Sequence, residues 1–272
     1  MFALLVMGGV GVIFALILIV ADKLFRVEED PRLKKVLEVL PGLNCGACGY
    51  PSCERAGESL VKGEVDCGVC VVGGTRVAEE LNKILGGGEV GVRERKVAVL
   101  HCGADEGKRK KLAEYEGITT CVSASIVGGG LACNYGCLGF GDCEKVCPVS
   151  AIKMVHGLPW IDHEKCIGCG KCVKECPRNL FELVPYRKGL YWVACKNEEP
   201  GKKVREVCEV GCIACRLCEK LSGGVFQVEN NLARINRSRQ GEEVDWEKVA
   251  GRCPTGCILS STTSVLSEKP VR

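Results

Sequence analysis

The chain opens on 21 residues, MFALLVMGGVGVIFALILIVA, without one charged side chain. Coiled at 1.5 Å per residue they reach roughly 31 Å, enough to cross the hydrocarbon core of a bilayer. The charges come afterwards, at Lys23, Arg26, Arg32, Lys34 and Lys35. A secretory leader would carry basic residues first, then a shorter apolar run and a small-residue cleavage site. The pattern predicts an uncleaved transmembrane anchor over 1–24, with a buried core helix as the alternative. Positive charge on that flank places the N-terminus outside and everything after Asp22 in the cytoplasm.

Short helical periods follow. DPRLKKVLEVLPG (30–42) has Pro31 at its start and Gly42 past its end. SCERAGESLVKG begins at Ser52 and TRVAEELNKILGGG at Thr75, the latter with Val77, Leu81, Ile84 and Leu85 on one face. The glycine run 86–88 and the charged RERK (93–96) make the best boundary, so 25–90 reads as a small helical domain. Over 91–258 the chain reads as α+β, with short apolar strands between cysteine and glycine loops. Residues 259–272 show neither period nor turn logic and read as a frayed tail.

A repeat lies in the α+β part. VAVLHCGADEGK (97–108) and YWVACKNEEPGK (191–202) share an apolar strand, a cysteine, two acids and Gly-Lys. Each is followed by another cysteine, Cys121 and Cys208. Residues 91–130 and 186–210 therefore read as a pseudo-repeated frame around a cysteine-dense core, 133–185, with a degenerate module at 211–258.

Composition then changes the picture. The chain has 272 residues, a net charge of +3 and aromatics at only 5%; the charge is too mild to argue for nucleic acid. Cysteine is the outlier at 22 residues. The cysteines cluster as CxxC runs beside glycine, and no cleavable leader precedes them. That points to reduced thiolates holding metal rather than to a disulfide scaffold.

CIGCGKCVKECP (166–177) is the strongest motif. The C-x2-C-x2-C-x3-C-P run wraps three thiolates around one [4Fe–4S] cube and sends the fourth to a neighbouring cube. Zinc would prefer two CxxC pairs set well apart. CNYGCLGFGDCEKVCP (133–148) is the same run with enlarged loops. Crossed ligation predicts one cube on Cys133, Cys137, Cys143 and Cys176, and another on Cys166, Cys169, Cys172 and Cys147.

In CIACRLCEKLSGG, Ser222 stands where a fourth cysteine belongs. In a two-cluster run that fourth position serves the neighbour, so its loss removes the neighbouring cube. Cys212, Cys215 and Cys218 then take Cys253, which directly precedes Pro254, with Cys257 as the rival. Cys208, Cys212 and Cys215 also spell a radical S-adenosylmethionine signature, but too little chain follows for the barrel such chemistry needs. Near the anchor, Cys45, Cys48, Cys53 and Cys70 form a further set, with zinc as the alternative metal and Cys67 as the alternative to Cys70. Elimination and symmetry group Cys102, Cys121, Cys195 and Cys208, against four separate buried thiols. The expected total is about five [4Fe–4S] clusters from twenty of the 22 cysteines.

With the N-terminal span, LPGLNCGACGYPSC (40–53), NYGCLGFGDCEKVCP (134–148), CIGCGKCVKECPRNLFELVP (166–185) and VENNLARI (228–235), the chain resembles the B subunits of Rnf complexes. These are membrane-bound, ion-translocating ferredoxin:NAD oxidoreductases, and the resemblance covers nearly the whole chain. It implies an electron-transfer subunit that takes electrons from soluble ferredoxin. Its clusters then relay them to partner subunits holding the flavins, the NAD site and the ion path. It also implies a single-pass protein of the bacterial cytoplasmic (inner) membrane.

The residues agree on negatives: no GxGxxG follows a strand, no phosphate loop is present, and no substrate pocket or catalytic residue is expected. His101, His156 and His163 show no ligand spacing. The alternatives are a membrane-tethered cluster sensor and the electron-transfer subunit of another anchored dehydrogenase or hydrogenase. KRKK (108–111) with Lys202, Lys203 and Arg205 form a candidate dock for an acidic ferredoxin, against a merely solvated charged loop.

Overall fold

The computed structural model describes residues 2–25, 30–86, 91, 94–239 and 244–262. The apolar run forms helix α1 (Phe2–Phe25), long and apolar enough to cross a membrane over Val6–Lys23. Over residues 6–20 its large side chains, Phe14 and Ile19 among them, face outward rather than into a protein core. The buried-helix alternative therefore does not describe it.

A three-helix bundle follows: α2 (Pro31–Val39), α3 (Cys53–Val61) and α4 (Gly74–Leu85). Each boundary has a local cause. The Asp30 carboxylate accepts from Arg32 N at 2.8 Å, and Ser52 Oγ accepts from Arg55 N at 3.2 Å. Gly86 closes α4 in the left-handed region at φ 69. Val36, Leu60, Val77 and Leu81 form the bundle's own buried core.

The remainder is two successive modules of one design. In the first, β1 (Lys96–Leu100) pairs antiparallel with β4 (Phe181–Pro185). Between them stand the hairpin β2 (Ile152–Val155) and β3 (Leu158–Ile161) and three short helices, α5 (Cys121–Ile126), α6 (Asp142–Lys145) and α7 (Lys171–Glu175). In the second, β5 (Tyr191–Val193) pairs with β8 (Ile258–Ser260). That pair encloses α8 (Gly201–Val207), α9 (Leu217–Leu221), the hairpin β6 (Phe226–Glu229) and β7 (Leu232–Ile235), and α10 (Trp246–Gly251). Both hairpins turn on two residues with positive φ, His156-Gly157 and Asn230-Asn231, the backbone that two-residue hairpins favour.

Two expectations change. The pseudo-repeated segments are not a frame around one core. Each contributes the leading strand of its own module, because β1 and β5 find their partners in the strand that follows a Cys-Pro turn. The frayed tail begins too early as well: Leu259 and Ser260 belong to β8, and Ser261 N donates to Leu190 O at 2.8 Å. Residues 263–272, like the boundary glycines 87 and 88 and Arg93, lie outside the described residues.

Strand alternation joins the modules. Trp192 of β5 faces the first core and donates its indole N–H to Leu100 O at 3.1 Å, while its neighbour Val193 faces the second core. Phe226, fully buried, and Trp246 pack with ring centroids 5.7 Å apart in that second core.

Leu81 is wholly buried in the helical bundle, and Trp160, Trp192 and Trp246 all lie in the modules. Leu81→Ala should therefore cost about 2–5 kcal/mol locally. Amide exchange should accelerate across α2–α4 while tryptophan-reported unfolding stays in place. Equal destabilisation in both readouts would show one cooperative unit instead.

Candidate metal centres

Three loops share one backbone. Cys169 stands between Gly168 (φ 63) and Gly170 (φ 73), and Cys215 between Ala214 (φ 55) and Arg216 (φ 59). Phe140 stands between Gly139 (φ 85) and Gly141 (φ 76). A left-handed residue on each side turns the loop's N–H groups inward around the central side chain. At Gly168 the close approach is strict, since a Cβ there would collide with the Lys96 carbonyl. Each loop runs into a short helix, α7, α9 or α6, whose second residue is Cys172, Cys218 or Cys143.

Each helix ends in a second shared device. Leu180 N donates to Cys176 Sγ at 3.4 Å and Ala151 N to Cys147 Sγ at 3.2 Å. Phe226 N donates to Ser222 Oγ at 2.9 Å. Ser222 is thus the positional equivalent of Cys147 and Cys176, as its spacing implies. Its hydroxyl is buried, accepts from Phe226 N and donates to Glu219 O at 3.4 Å.

The thiols gather in five groups. Cys45, Cys48, Cys53 and Cys70 line one cavity. Asn44 Oδ1 accepts from Cys53 N at 2.7 Å and fixes that loop. Burial raises Cys70, and Cys48, Cys53 and Cys45 raise it further. Cys67 points instead into the bundle core.

Cys147, Cys166, Cys169 and Cys172 meet as expected. Cys172 is pushed up to about 12 by burial and by Cys166, Cys169 and Cys147. Ala98 N donates to Cys166 Sγ at 3.4 Å. Cys169, raised mainly by burial, also feels Cys45, so the bundle's site neighbours this one.

The other two expected groups exchange a member. Cys143 is raised by burial and then by Cys137, Cys121 and Cys176, which makes Cys121 the companion of Cys137, Cys143 and Cys176. Cys133 instead joins Cys102, Cys195 and Cys208 around one cavity. The reason is local. Phe140 fills the loop position that Cys169 and Cys215 hold, so the loop between Cys137 and Cys143 has no middle thiol. The chain supplies one from α5: Cys121 N donates to Asp142 Oδ2 at 2.6 Å, beside Cys143. Cys133 meanwhile is held by Asn197 Nδ2 at 3.6 Å from its sulfur, and Cys208 bridges Arg109.

The signal was in the chain. C-x2-G-C-x5-C-E-K-V-C from Cys133 and C-x2-G-C-x5-C-E-K-L-S from Cys208 align without a gap. Cys133 then matches Cys208, and Cys137 matches Cys212. The fourfold site takes Cys102 and Cys133 from the first module and their counterparts Cys195 and Cys208 from the second.

Cys212, Cys215, Cys218 and Cys253 line the last cavity, with Cys257 beside them. Cys218 is pushed up to about 12 by burial and by Cys212, Cys215 and Cys253. Cys257 Sγ lies 3.6 Å from Cys253 Sγ, and its thiol proton lowers both Cys253 and Cys212. Four residues after the cysteine of a Cys-Pro pair, Cys257 occupies the slot of Ala151 and Leu180, just ahead of a strand. It is a packing residue in that register.

Arg178 escaped the sequence reading, and Arg109, placed there in a candidate dock, is internal. Arg178 directs its guanidinium to the carbonyls of Cys133, Gly136 and Gly128 at 2.8–2.9 Å. Arg109 is buried and bonds Cys137 O and Gly157 O. KRKK is therefore not a uniformly solvated dock: its arginine is internal, and Lys108 is paired with Asp105 at 2.5 Å. The histidines serve structure. His101 bonds Val193 O at 2.8 Å and Glu182 at 2.9 Å, His156 turns a hairpin, and His163 packs on Trp192. Among the described residues no three potential ligands pinch together tightly enough for a single metal ion.

The family model described as "Putative Fe-S cluster" matches residues 40–72, and the one described as "4Fe-4S binding domain" matches residues 159–182. Over 259 residues the chain is 41% identical to the B subunit of the proton-translocating ferredoxin:NAD(+) oxidoreductase complex of Clostridium ljungdahlii, covering 94% of this chain and 90% of that one. It is 40% identical to the Na(+)-translocating counterpart of Acetobacterium woodii, covering 93% and 75%. It is 33% identical to the B subunit of the ion-translocating oxidoreductase complex of Methanosarcina acetivorans, covering 86% and 89%.

Substitutions around the last cavity separate the ligands. Cys253→Ala should lose one cluster and loosen the second module, because metal binding is coupled to local folding. Cys257→Ala should keep every cluster. Ser222→Ala should also keep them while costing about 1 kcal/mol through the orphaned Phe226 N–H. Anaerobic iron counts on the three variants check the set. Loss of four irons in Cys257→Ala with none lost in Cys253→Ala would reverse the assignment.

Proposed function

The chain belongs to the B-subunit family of ion-translocating ferredoxin:NAD oxidoreductases (Rnf complexes), and from that premise we propose how its thiols serve an electron-transfer subunit. The observation that carries the reading is the series of five four-cysteine groups, each beside the next. Cys169 feels Cys45, Cys143 feels Cys172, and Cys137 N donates to Cys102 Sγ at 3.5 Å. Cys195 in turn adjoins Cys212.

Each group fits a [4Fe–4S] cluster, which supplies reversible one-electron chemistry when bound. The cysteines hold the irons. The left-handed loops and the N–H groups of Ala98, Ala151 and Leu180 point donors at the sulfurs, which stabilises their negative charge. Half-buried Arg178 and buried Arg109 bring positive charge to the Cys137 site and to the shared Cys102–Cys133 site. Burial of Cys102, Cys133, Cys137, Cys143 and Cys195 keeps water from the interior sites. With no catalytic side chain of its own, the subunit receives electrons from soluble ferredoxin and passes them to the partner subunits that carry out NAD chemistry and ion translocation. α1 anchors it as a single span in the cytoplasmic membrane, with the bundle and modules on the cytoplasmic face.

Anaerobic iron and sulfide analysis should give about 20 irons per chain, four for each thiol group. A value near 12 would remove two of the five groups. Protease added to sealed right-side-out vesicles should leave the soluble part intact. Digestion there would put it on the wrong side for a cytosolic donor.

A further inference from the structure

The five thiol groups differ in what lies over them. Of the 22 cysteines only Cys215 is exposed; those of the four other groups are buried or half-buried. Electron transfer weakens steeply with distance, so a passing redox protein gains most where a ligand sulfur reaches the surface. Cys215 sits on the rim of the last cavity, at the far end of the series from the site beside α3.

That rim has the make-up of a transient interface. Leu217 and Leu221, one helical turn apart on α9, are 41% and 42% exposed. They form a small apolar centre next to Cys215. Exposed positive side chains lie close to it: Arg216 just before α9, Lys220 on it, and Arg252 at the end of α10, which packs on α9. Glu219, the one acid on α9, is turned back to Arg216 at 3.4 Å. A Cβ on Gly201 would collide with the Ile213 carbonyl, so α8 starts against the Cys212–Cys215 loop. Its exposed Lys202 and Lys203 therefore add to the same field.

We propose that this face of α9, centred on Cys215, Leu217 and Leu221 and flanked by Arg216, Lys220 and Arg252, is where an acidic soluble iron–sulfur protein docks. The inference rests on the reading of the chain as a ferredoxin-fed subunit. Each encounter moves one electron from the partner into the chain, and no bond or proton changes hands. An apolar centre of two leucines beside basic side chains suits a small, short-lived interface, with the charges setting the encounter rate.

The test uses the full-length, cluster-loaded protein in detergent with a recombinant acidic [4Fe–4S] ferredoxin as probe. The variant L217E/K220E/R252E leaves Arg216 alone, because its left-handed backbone (φ 59) makes replacement there a folding question. Binding at low salt should weaken about tenfold or more, and its salt dependence should flatten. The single variant Leu221→Glu should weaken binding in the same direction. The rate of reduction by ferredoxin should fall with binding, while reduction by dithionite and iron content stay at wild-type levels. K165E/K174E, on the far module beside Cys166 and Cys172, should bind within about twofold of wild type. The proposal is overturned if the triple variant binds as wild type does, or if K165E/K174E weakens binding as much. If the wild-type protein neither binds nor accepts electrons from ferredoxin at low salt, the ferredoxin-fed reading itself fails.

Discussion

Sulfur anions crowded into a small, dry volume repel one another, and most features of this chain answer that repulsion. Cys137, Cys172, Cys195 and Cys218 are each pushed up to about 12, chiefly by burial and then by neighbouring thiols. Thiols so raised stay protonated at neutral pH until iron supplies positive charge, so cluster assembly must expel protons and organise the loops in one event. The left-handed loops, the N–H groups aimed at sulfur and the internal guanidinium of Arg178 all act in the same direction. They place positive ends of dipoles, or full charge, where negative charge accumulates. A conventional apolar core is correspondingly thin: strands of three to five residues enclose the cysteines rather than one another.

What was legible in the sequence followed from spacing. Cys166, Cys169 and Cys172 lie on one tight loop, and a tight loop dictates its own geometry, so their grouping with Cys147 could be read directly. Cys45, Cys48 and Cys53 were legible for the same reason, whereas Cys70 reaches them from beyond α3. The exchange of Cys121 and Cys133 was not, because Cys121 lies 22 positions before Cys143 in the chain and reaches it through a tertiary contact, the Asp142 carboxylate on its N–H. The gapless match of the runs from Cys133 and Cys208 would have shown Phe140 in a ligand's place. It could not have shown which distant thiol replaces it. The module boundary failed similarly, since β5 and β8 pair across most of a module and neither strand announces its partner.

The second module shows what happens when half of a two-cluster design is dropped. The space of the missing triplet is taken by α10, with Trp246 stacked on Tyr191 at 5.6 Å and close to Phe226. A short helix that turns Trp246 and Val249 inward can fill the volume a cluster would take, and the aromatic rings recover hydrophobic burial there. On the proposed ligation the helix cannot supply the crossed ligand of the remaining site; Cys253 before Pro254 lines that cavity, while Ser222 faces only backbone.

The pseudo-symmetric site explains why two modules are joined rather than strung on a linker. Cys102 and Cys195 follow equivalent strands, and Cys133 and Cys208 precede equivalent ligand loops, so neither module holds more than two of the four thiols. A cluster bound there requires both modules in register, and the Trp192 indole on Leu100 O and the Arg109–Cys208 bridge hold that register. The shared site sits between the buried groups of the first module and the exposed group of the second. With clusters in these groups, as proposed, the contact that joins the two modules would also hold their redox sites in one series.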